Sequence, residues 1–224
     1  MSLKQKIKQA QDGIESARQQ WKDEEIVVAW TGGKDSTVIM HIIKEMYGEI
    51  PFRVLFNDST IEFPEIYTFI KKIKKDWSVD LIWLKHLPED LQSYNASTND
   101  EEKMEIMRIA KINAINYAIS EYDIRVFVSG IRWDEHEARS KETVISKRRS
   151  HSRVHPILQF TIDDIWEYIK KYDVPYVDLY DKGYKSLGEA PFTHPVADPH
   201  ASERAGREAT KEDKMEKLRK LGYW

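Results

Sequence analysis

Residues 31–36 read Thr31-Gly32-Gly33-Lys34-Asp35-Ser36, two glycines followed by a cation, a carboxylate and a hydroxyl. Paired glycines let the backbone take conformations a Cβ forbids and bring its amides close to an anion. Lys34 adds a mobile positive charge. Beyond it, Val38, Ile39, Ile42, Ile43 and Met46 recur at helical spacing, with Gly48 placed to close the helix. The unpaired amides at a helix start attract negative charge, so this pattern is a cradle for phosphate. Asp35 is suited either to Mg2+ or to capping, and Ser36 either to phosphate or to capping. Upstream, Ile26, Val27 and Val28 form a buried-strand pattern that leads through Ala29 and Trp30 into the turn. A Walker A loop would require glycine where Val28 stands, and no G-x-G-x-x-G is present, so those two phosphate-binding designs are excluded.

The 224 residues carry 35 Lys and Arg against 38 Asp and Glu, a net charge of −3 that gives no general reason to expect nucleic acid or an anionic membrane as partner. No apolar run approaches membrane-spanning length, and residues 1–6 lack a signal peptide's apolar segment. The expectation is a cytoplasmic protein. Cysteine is absent from the sequence, which excludes disulfides, zinc–thiolate sites, cysteine-ligated iron–sulfur clusters and thiol nucleophiles on this chain.

Leu3, Ile7, Ala10, Ile14, Ala17 and Trp21 make an amphipathic helix over 1–22, either docked on the domain or forming a short coiled coil. Strands are expected at 25–30, 52–56, 79–84 and 124–128, and helices at 64–75 and 101–121. Pro64 suits the first turn of its helix. The 101–121 helix has apolar residues on more than one face, which predicts cover on two sides. Residues 88–100 read as a polar surface loop, and 135–153 as charged chain without regular structure. After the apolar 154–158, Thr161-Ile162-Asp163-Asp164 reads as a capping box that opens a helix. Residues 175–199 are a long Gly-, Pro- and aromatic-rich loop of the kind that carries function, and 210–221 a final helix.

Alternating strands and helices predict an α/β fold with a parallel sheet covered on both faces in three layers. Its core spans 23–134, and an irregular region, 135–224, packs on the same domain. Right-handed crossovers run strands one to three in one direction and return the fourth beside the first. The gap between strands one and four is then the ligand-binding switch point. It brings residues 31–36 beside Ser129, Gly130, Ile131 and Arg132, with Asn57 and Asp58 on the other flank.

The loop resembles the S-G-G-K-D-S loop of the N-type ATP pyrophosphatases (PP-loop enzymes), which cleave ATP between the α- and β-phosphates. Further motifs follow in order: Phe63-Pro64-Glu65, then G-I-R-W-D-E-H-E-A-R over 130–139, His155-Pro156-Ile157, and Tyr184-Lys185-Ser186-Leu187-Gly188. Together, over residues 24–207, they resemble the phosphoadenosine phosphosulfate (PAPS) reductase family, which includes the small subunit of sulfate adenylyltransferase. The resemblance implies an adenine nucleotide alpha-hydrolase-like fold and a role in sulfate assimilation or related sulfur chemistry. It implies nucleotide contacts from residues 29–36, Asn57, Asp58, Gly130, Ile131 and Arg132, with Lys34, Arg132 and Arg139 catalytic and Asp35 on Mg2+. Arg148, Arg149 and Lys185 are the expected anion or acceptor ligands. The implied partners are ATP, APS or PAPS, an oxyanion such as sulfate, and a GTPase large subunit or a thioredoxin-like protein; a homo-oligomer also fits.

This chain departs from the reductases of that family at two points. It lacks their C-terminal cysteine, and Glu189 and Phe192 stand where the iron–sulfur branch has cysteines. Its loop retains Gly-Gly-Lys-Asp-Ser intact, as in the adenylyltransferase members. Both departures favour adenylyl transfer with α–β cleavage over sulfonucleotide reduction, which here would need a thiol supplied in trans. A nucleotide-binding subunit without turnover and a PP-loop enzyme acting on RNA through the basic 139–153 stretch are the remaining readings. Asp134, Glu135 and Glu137 have the chemistry of metal ligands, but in a charged loop the reading as solvated charge is favoured.

Overall fold

A computed structural model describes residues 1–207; the helix expected at 210–221 lies outside them. Among the described residues six strands form one sheet in the order β3-β2-β1-β4-β6-β5. These are β1 (Ile26–Ala29), β2 (Arg53–Asp58), β3 (Leu81–Lys85), β4 (Val126–Val128), β5 (Ile145–Lys147) and β6 (Ser152–Val154). Every neighbouring pair is parallel except β5 with β6. The expected 3-2-1-4 order is therefore observed, and β1 lies between β2 and β4 at the switch point.

Alternation along the strands divides the core. Ile26, Val28, Val54, Phe56, Val126, Val128 and Val154 face one side, where α1 (Leu3–Gln20), α2 (Lys34–Tyr47), α3 (Pro64–Asp76) and α6 (Ile162–Tyr172) pack. Val27, Leu55 and Phe127 face the other, against α5 (Asp100–Glu121). The N-terminal helix is docked: Leu3, Ala10, Ile14 and Ala17 are buried in the main core. Its start carries a capping box of Ser2 and Gln5, and the one read at Thr161 and Asp164 opens α6.

Local expectations fail in two places. Residues 88–100 are not a loop; α4 spans Pro88–Ala96, with Pro88 in its first turn and Tyr94 buried against Phe192 and Met107. The 135–153 stretch is not irregular, because β5 and β6 extend the sheet beyond β4. Of the apolar 154–158 segment, Val154 belongs to β6, and Ile157 and Leu158 are buried beyond it. Helix α5 meets the sheet through Ile115, Ala118 and Ile119 and α4 through Met107, while Ile109 and Tyr117 are 46% and 53% exposed. None of the described helices is long and apolar enough to cross a membrane.

Two features fix the end of β4, one toward β5 and β6 and one toward the phosphate loop. His155 is fully buried, with Nδ1 2.8 Å from Ser129 Oγ and Nε2 3.3 Å from Ser146 Oγ. At Gly130 the backbones nearly touch, since a Cβ there would lie 3.0 Å from Ser36 N and 3.1 Å from Asp35 C.

Gly130→Ala is expected to force β4 and α2 apart and to cost about 1–3 kcal/mol, the usual range for overpacking. A urea midpoint equal to wild type would show that the contact yields freely. Burial together with nearby cationic charge holds three histidines neutral, lowering His86 and His151 to about 4 and His155 to about 3. Once unfolded they titrate near 6.5, so between about pH 6.5 and 4 the unfolded chain binds more protons. Stability should therefore be full above about pH 6.5 and fall as pH drops through that window. The slope expected is about 1.4 kcal/mol per pH unit for each ring. Urea midpoints that stay level from pH 7 to pH 5 would contradict this.

Candidate functional site

The loop between β1 and α2 is built from its own side chains. Gly32 sits at φ +75°, a left-handed conformation that the turn requires, whereas Gly33 at φ −75° is the residue preceding the helix. A Cβ at Gly33 would crowd Thr31 Oγ1 at 3.2 Å, with the Tyr180 hydroxyl in ordinary contact at 3.5 Å. Ser36 Oγ donates to Gly33 O (3.1 Å) and accepts from Thr31 N (3.4 Å). The Trp30 ring is buried in the core, and its Nε1 donates to Thr37 Oγ1 at 3.0 Å. Its side chain is thus an anchor for α2.

A cavity of about 270 Å3 opens at the carboxyl ends of β1, β2 and β4. Ala29, Trp30, Thr31, Gly33, Lys34, Asp35 and Ser36 line one wall, with Ser129, Gly130 and Ile131 opposite. Leu55, Ile115 and Phe127 supply an apolar part, and Asn57 lies on the β2 flank. Arg139, Arg153, Arg204 and Arg207 contribute cationic groups to the lining. Arg153 also lies over the Phe127 ring, 5.3 Å from its centroid.

Lys34 and Arg132 are 2% and 0% exposed, and buried charges of this kind need partners. Asp35 accepts from both, 3.1 Å from Lys34 Nζ and 2.7 Å from Arg132 Nε. Asp134 accepts from Arg132 Nη1 at 2.7 Å. The Glu203 carboxylate bridges the two cations, accepting from Lys34 Nζ and Arg132 Nη2. Burial works against the charge on Lys34, but Asp35, Tyr180 and Glu203 outweigh it and raise its pKa. Burial would raise Asp35, yet Lys34 and Arg132 hold it below the usual carboxylate range. Glu203 goes the other way, pushed up by burial despite Lys34 and further by Asp35.

Not every expected residue comes to this crevice. Asp58 is buried away from the cavity lining, its oxygens accepting from Thr60 N, Tyr67 Oη and Trp83 Nε1, each at 2.8 Å. It supports Thr60, a β-branched residue held at φ 68°. Asn57 does line the cavity, and its Nδ2 donates to Lys111 O at 3.2 Å. Arg148 and Arg149 belong to the turn joining β5 to β6. Because β6 runs parallel to β4, that turn lies at the opposite end of the sheet from the loop. The Arg148 guanidinium reaches the buried Glu142 (3.1 Å), and Arg149 is exposed. Lys185 donates to Pro199 O and Ala201 O at 2.8 and 2.7 Å, so it ties down a loop. Arg139 is buried on the cavity wall and paired with Glu135.

Four residues that no expectation named also meet here. Tyr180 Oη accepts from Lys34 N at 3.1 Å, Glu203 bridges the cations, and Arg204 pairs with Glu135 at 2.8 Å. Arg207 donates to Leu187 O and Ser186 Oγ. The only local trace is the Ser-Glu-Arg-Ala-Gly-Arg run at 202–207, which places two arginines around a glycine.

The family model described as "Phosphoadenosine phosphosulfate reductase domain" matches residues 25–195. Among curated relatives, an adenosine 5'-phosphosulfate reductase of Staphylococcus haemolyticus is 31% identical, the alignment covering 81% of this chain and 75% of that protein. A sulfate adenylyltransferase subunit 2 of Buchnera aphidicola is 29% identical, with 88% and 74% covered. Among solved structures, a PAPS reductase of Candida auris aligns with TM-score 0.69 at 20% identity, covering 84% of this chain and 90% of that one. An FMN adenylyltransferase of Candida glabrata, solved with FMN and an ATP analogue, aligns with TM-score 0.68 at 19% identity over 89% and 69%. These two likenesses show the shared fold. The family match spans most of the sequence and includes the 31–36 loop, so the chain belongs to the phosphoadenosine phosphosulfate reductase domain family and is a PP-loop protein.

Proposed function

We propose that this chain binds ATP at residues 31–36 and transfers its adenylyl group to a small oxyanion such as sulfate, releasing pyrophosphate. The observation that carries this is the intact Gly-Gly-Lys-Asp-Ser loop at a helix start, with Lys34 and Arg132 converging on one carboxylate. A place where two buried cations already hold an anion is electrostatically suited to phosphate. An oxygen of the acceptor attacks the α-phosphorus while the bond to the β-phosphate oxygen breaks, and no redox change occurs. No protein nucleophile is needed. Lys34, the loop amides and Arg132 would bind and orient the phosphates and stabilise developing charge, with Arg139 on the acceptor side. Gly130 and Ile131 would border the nucleotide opposite the loop. Asp35 is a hard carboxylate on the cavity wall, the ligand type that Mg2+ takes together with substrate phosphates. Mg2+ bound there would neutralise charge on phosphate oxygens.

A second reading has one specific support, the relatives named adenosine 5'-phosphosulfate reductase. The absence of cysteine weighs against it, since a sulfur-centred attack would need a thiol from a partner. A partner chain also belongs to the leading reading, because one relative is named as a subunit.

The purified chain, with sulfate or a related anion and a partner subunit where one is required, is expected to exchange labelled pyrophosphate into ATP. It is expected to release no sulfite from APS or PAPS with thioredoxin present. Sulfite release by this chain alone would overturn the proposal. Lys34→Ala should lower exchange about a hundredfold, corresponding to about 3 kcal/mol of lost charge stabilisation. Unchanged ATP affinity and exchange in that variant would remove Lys34 from the site.

A further inference from the structure

The segment that follows the short 3-10 helix Ala190–Phe192 folds back on itself before reaching the phosphate loop. His194 N donates to Gly206 O at 2.9 Å, and Thr193 bridges Arg207, so residues 194–206 form a closed loop with a narrow neck. Gly206 is needed there, because a Cβ would collide with His194 O. Lys185 holds two carbonyls of the loop, Val196 N donates to Gly183 O at 3.0 Å, and Arg204 pairs with Glu135. The returning limb of this loop carries Glu203 onto Lys34 and Arg132.

Donors that an incoming polyphosphate would use are therefore already satisfied from within the chain. Lys34 N donates to the Tyr180 hydroxyl, Lys34 Nζ to Glu203 and, at 3.4 Å, to Lys185 O, and Arg132 Nη2 to Glu203. The space that remains, about 270 Å3, lies below the roughly 300–1,000 Å3 of ordinary small-molecule sites.

We propose that the 194–206 loop is a built-in plug of the phosphate site, in which the Glu203 carboxylate occupies the anion seat between Lys34 and Arg132 and is displaced by the entering polyphosphate. This rests on the reading of residues 31–36 as a polyphosphate cradle. Three carboxylates, Asp35, Asp134 and Glu203, share Lys34 and Arg132. A polyphosphate added to that set without loss of a carboxylate would bury further like charge. Asp35 is fixed on α2 beside Lys34, and the two cations outweigh its burial; Glu203 is carried by a loop, and in its case burial prevails. Glu203 is accordingly the one that leaves. Its departure removes two ion pairs that fasten the loop, so the loop loosens when the site fills.

A static clamp would have the same geometry but different consequences. Pyrophosphate titrated into wild type and into Glu203→Gln distinguishes the two, because glutamine keeps the shape and removes the competing charge. The plug predicts at least tenfold tighter pyrophosphate binding and a faster association rate in the variant. Equal or weaker binding would overturn it while leaving the cradle intact. No pyrophosphate binding by either protein would overturn the cradle reading as well. Hydrogen exchange on the wild-type chain supplies a check that does not depend on the variant folding. Saturating pyrophosphate should reduce protection of the His194 and Val196 amides, and undiminished protection with pyrophosphate bound would contradict displacement.

Discussion

Two cations, Lys34 and Arg132, are buried at the carboxyl ends of β1 and β4, and much of the site follows from the need to satisfy them. An unpaired charge in such a place costs several kcal/mol, so carboxylates must reach it. They come from separate parts of the chain: Asp35 from the first turn of α2, Asp134 from just beyond β4, and Glu203 from the 194–206 loop. The fold makes that convergence affordable in geometric terms by setting β1 and β4 side by side. Gly130 then lets their following segments approach until backbone meets backbone. The strand order, the glycine contact and the ion cluster are one arrangement, and each part loses its role without the others.

The same need explains why the C-terminal region belongs to the site. β6 extends the sheet from β4, and α6 joins the helices packed on the main core. The chain then returns through Tyr180 and Lys185 to the phosphate loop. A phosphate cradle formed by a helix start alone would stand open to water. Here a hydroxyl, a carbonyl and a carboxylate close it, and the proposed chemistry requires that they yield to a triphosphate.

Much of the scaffold was legible because its signals are local. The β-branched run at 26–28, the double glycine and the helical spacing after it specify strand, turn and helix within about twenty residues. Crossover handedness then places β4 beside β1. The misses are equally physical. β5 and β6 have three residues each, and the pairing of β6 with β4 and of β5 with β6, rather than intrinsic pattern, stabilises them. Helix α4 is polar, and its anchor is Tyr94 packed on Phe192, a contact without local trace. Asp58 sits where a nucleotide ligand is expected, but Thr60, Tyr67 and Trp83 claim its oxygens. Glu203 meets Lys34 across 169 positions of sequence, so neither residue's neighbourhood announces the other.

A structure of the chain with a non-hydrolysable ATP analogue and Mg2+ tests the central claim most directly. The account predicts the β-phosphate against Lys34 Nζ and the amides of residues 33–36, with Arg132 turned to the phosphates and Glu203 withdrawn from both cations. A triphosphate bound elsewhere, or one seated in the loop with Glu203 still bridging Lys34 and Arg132, would contradict it.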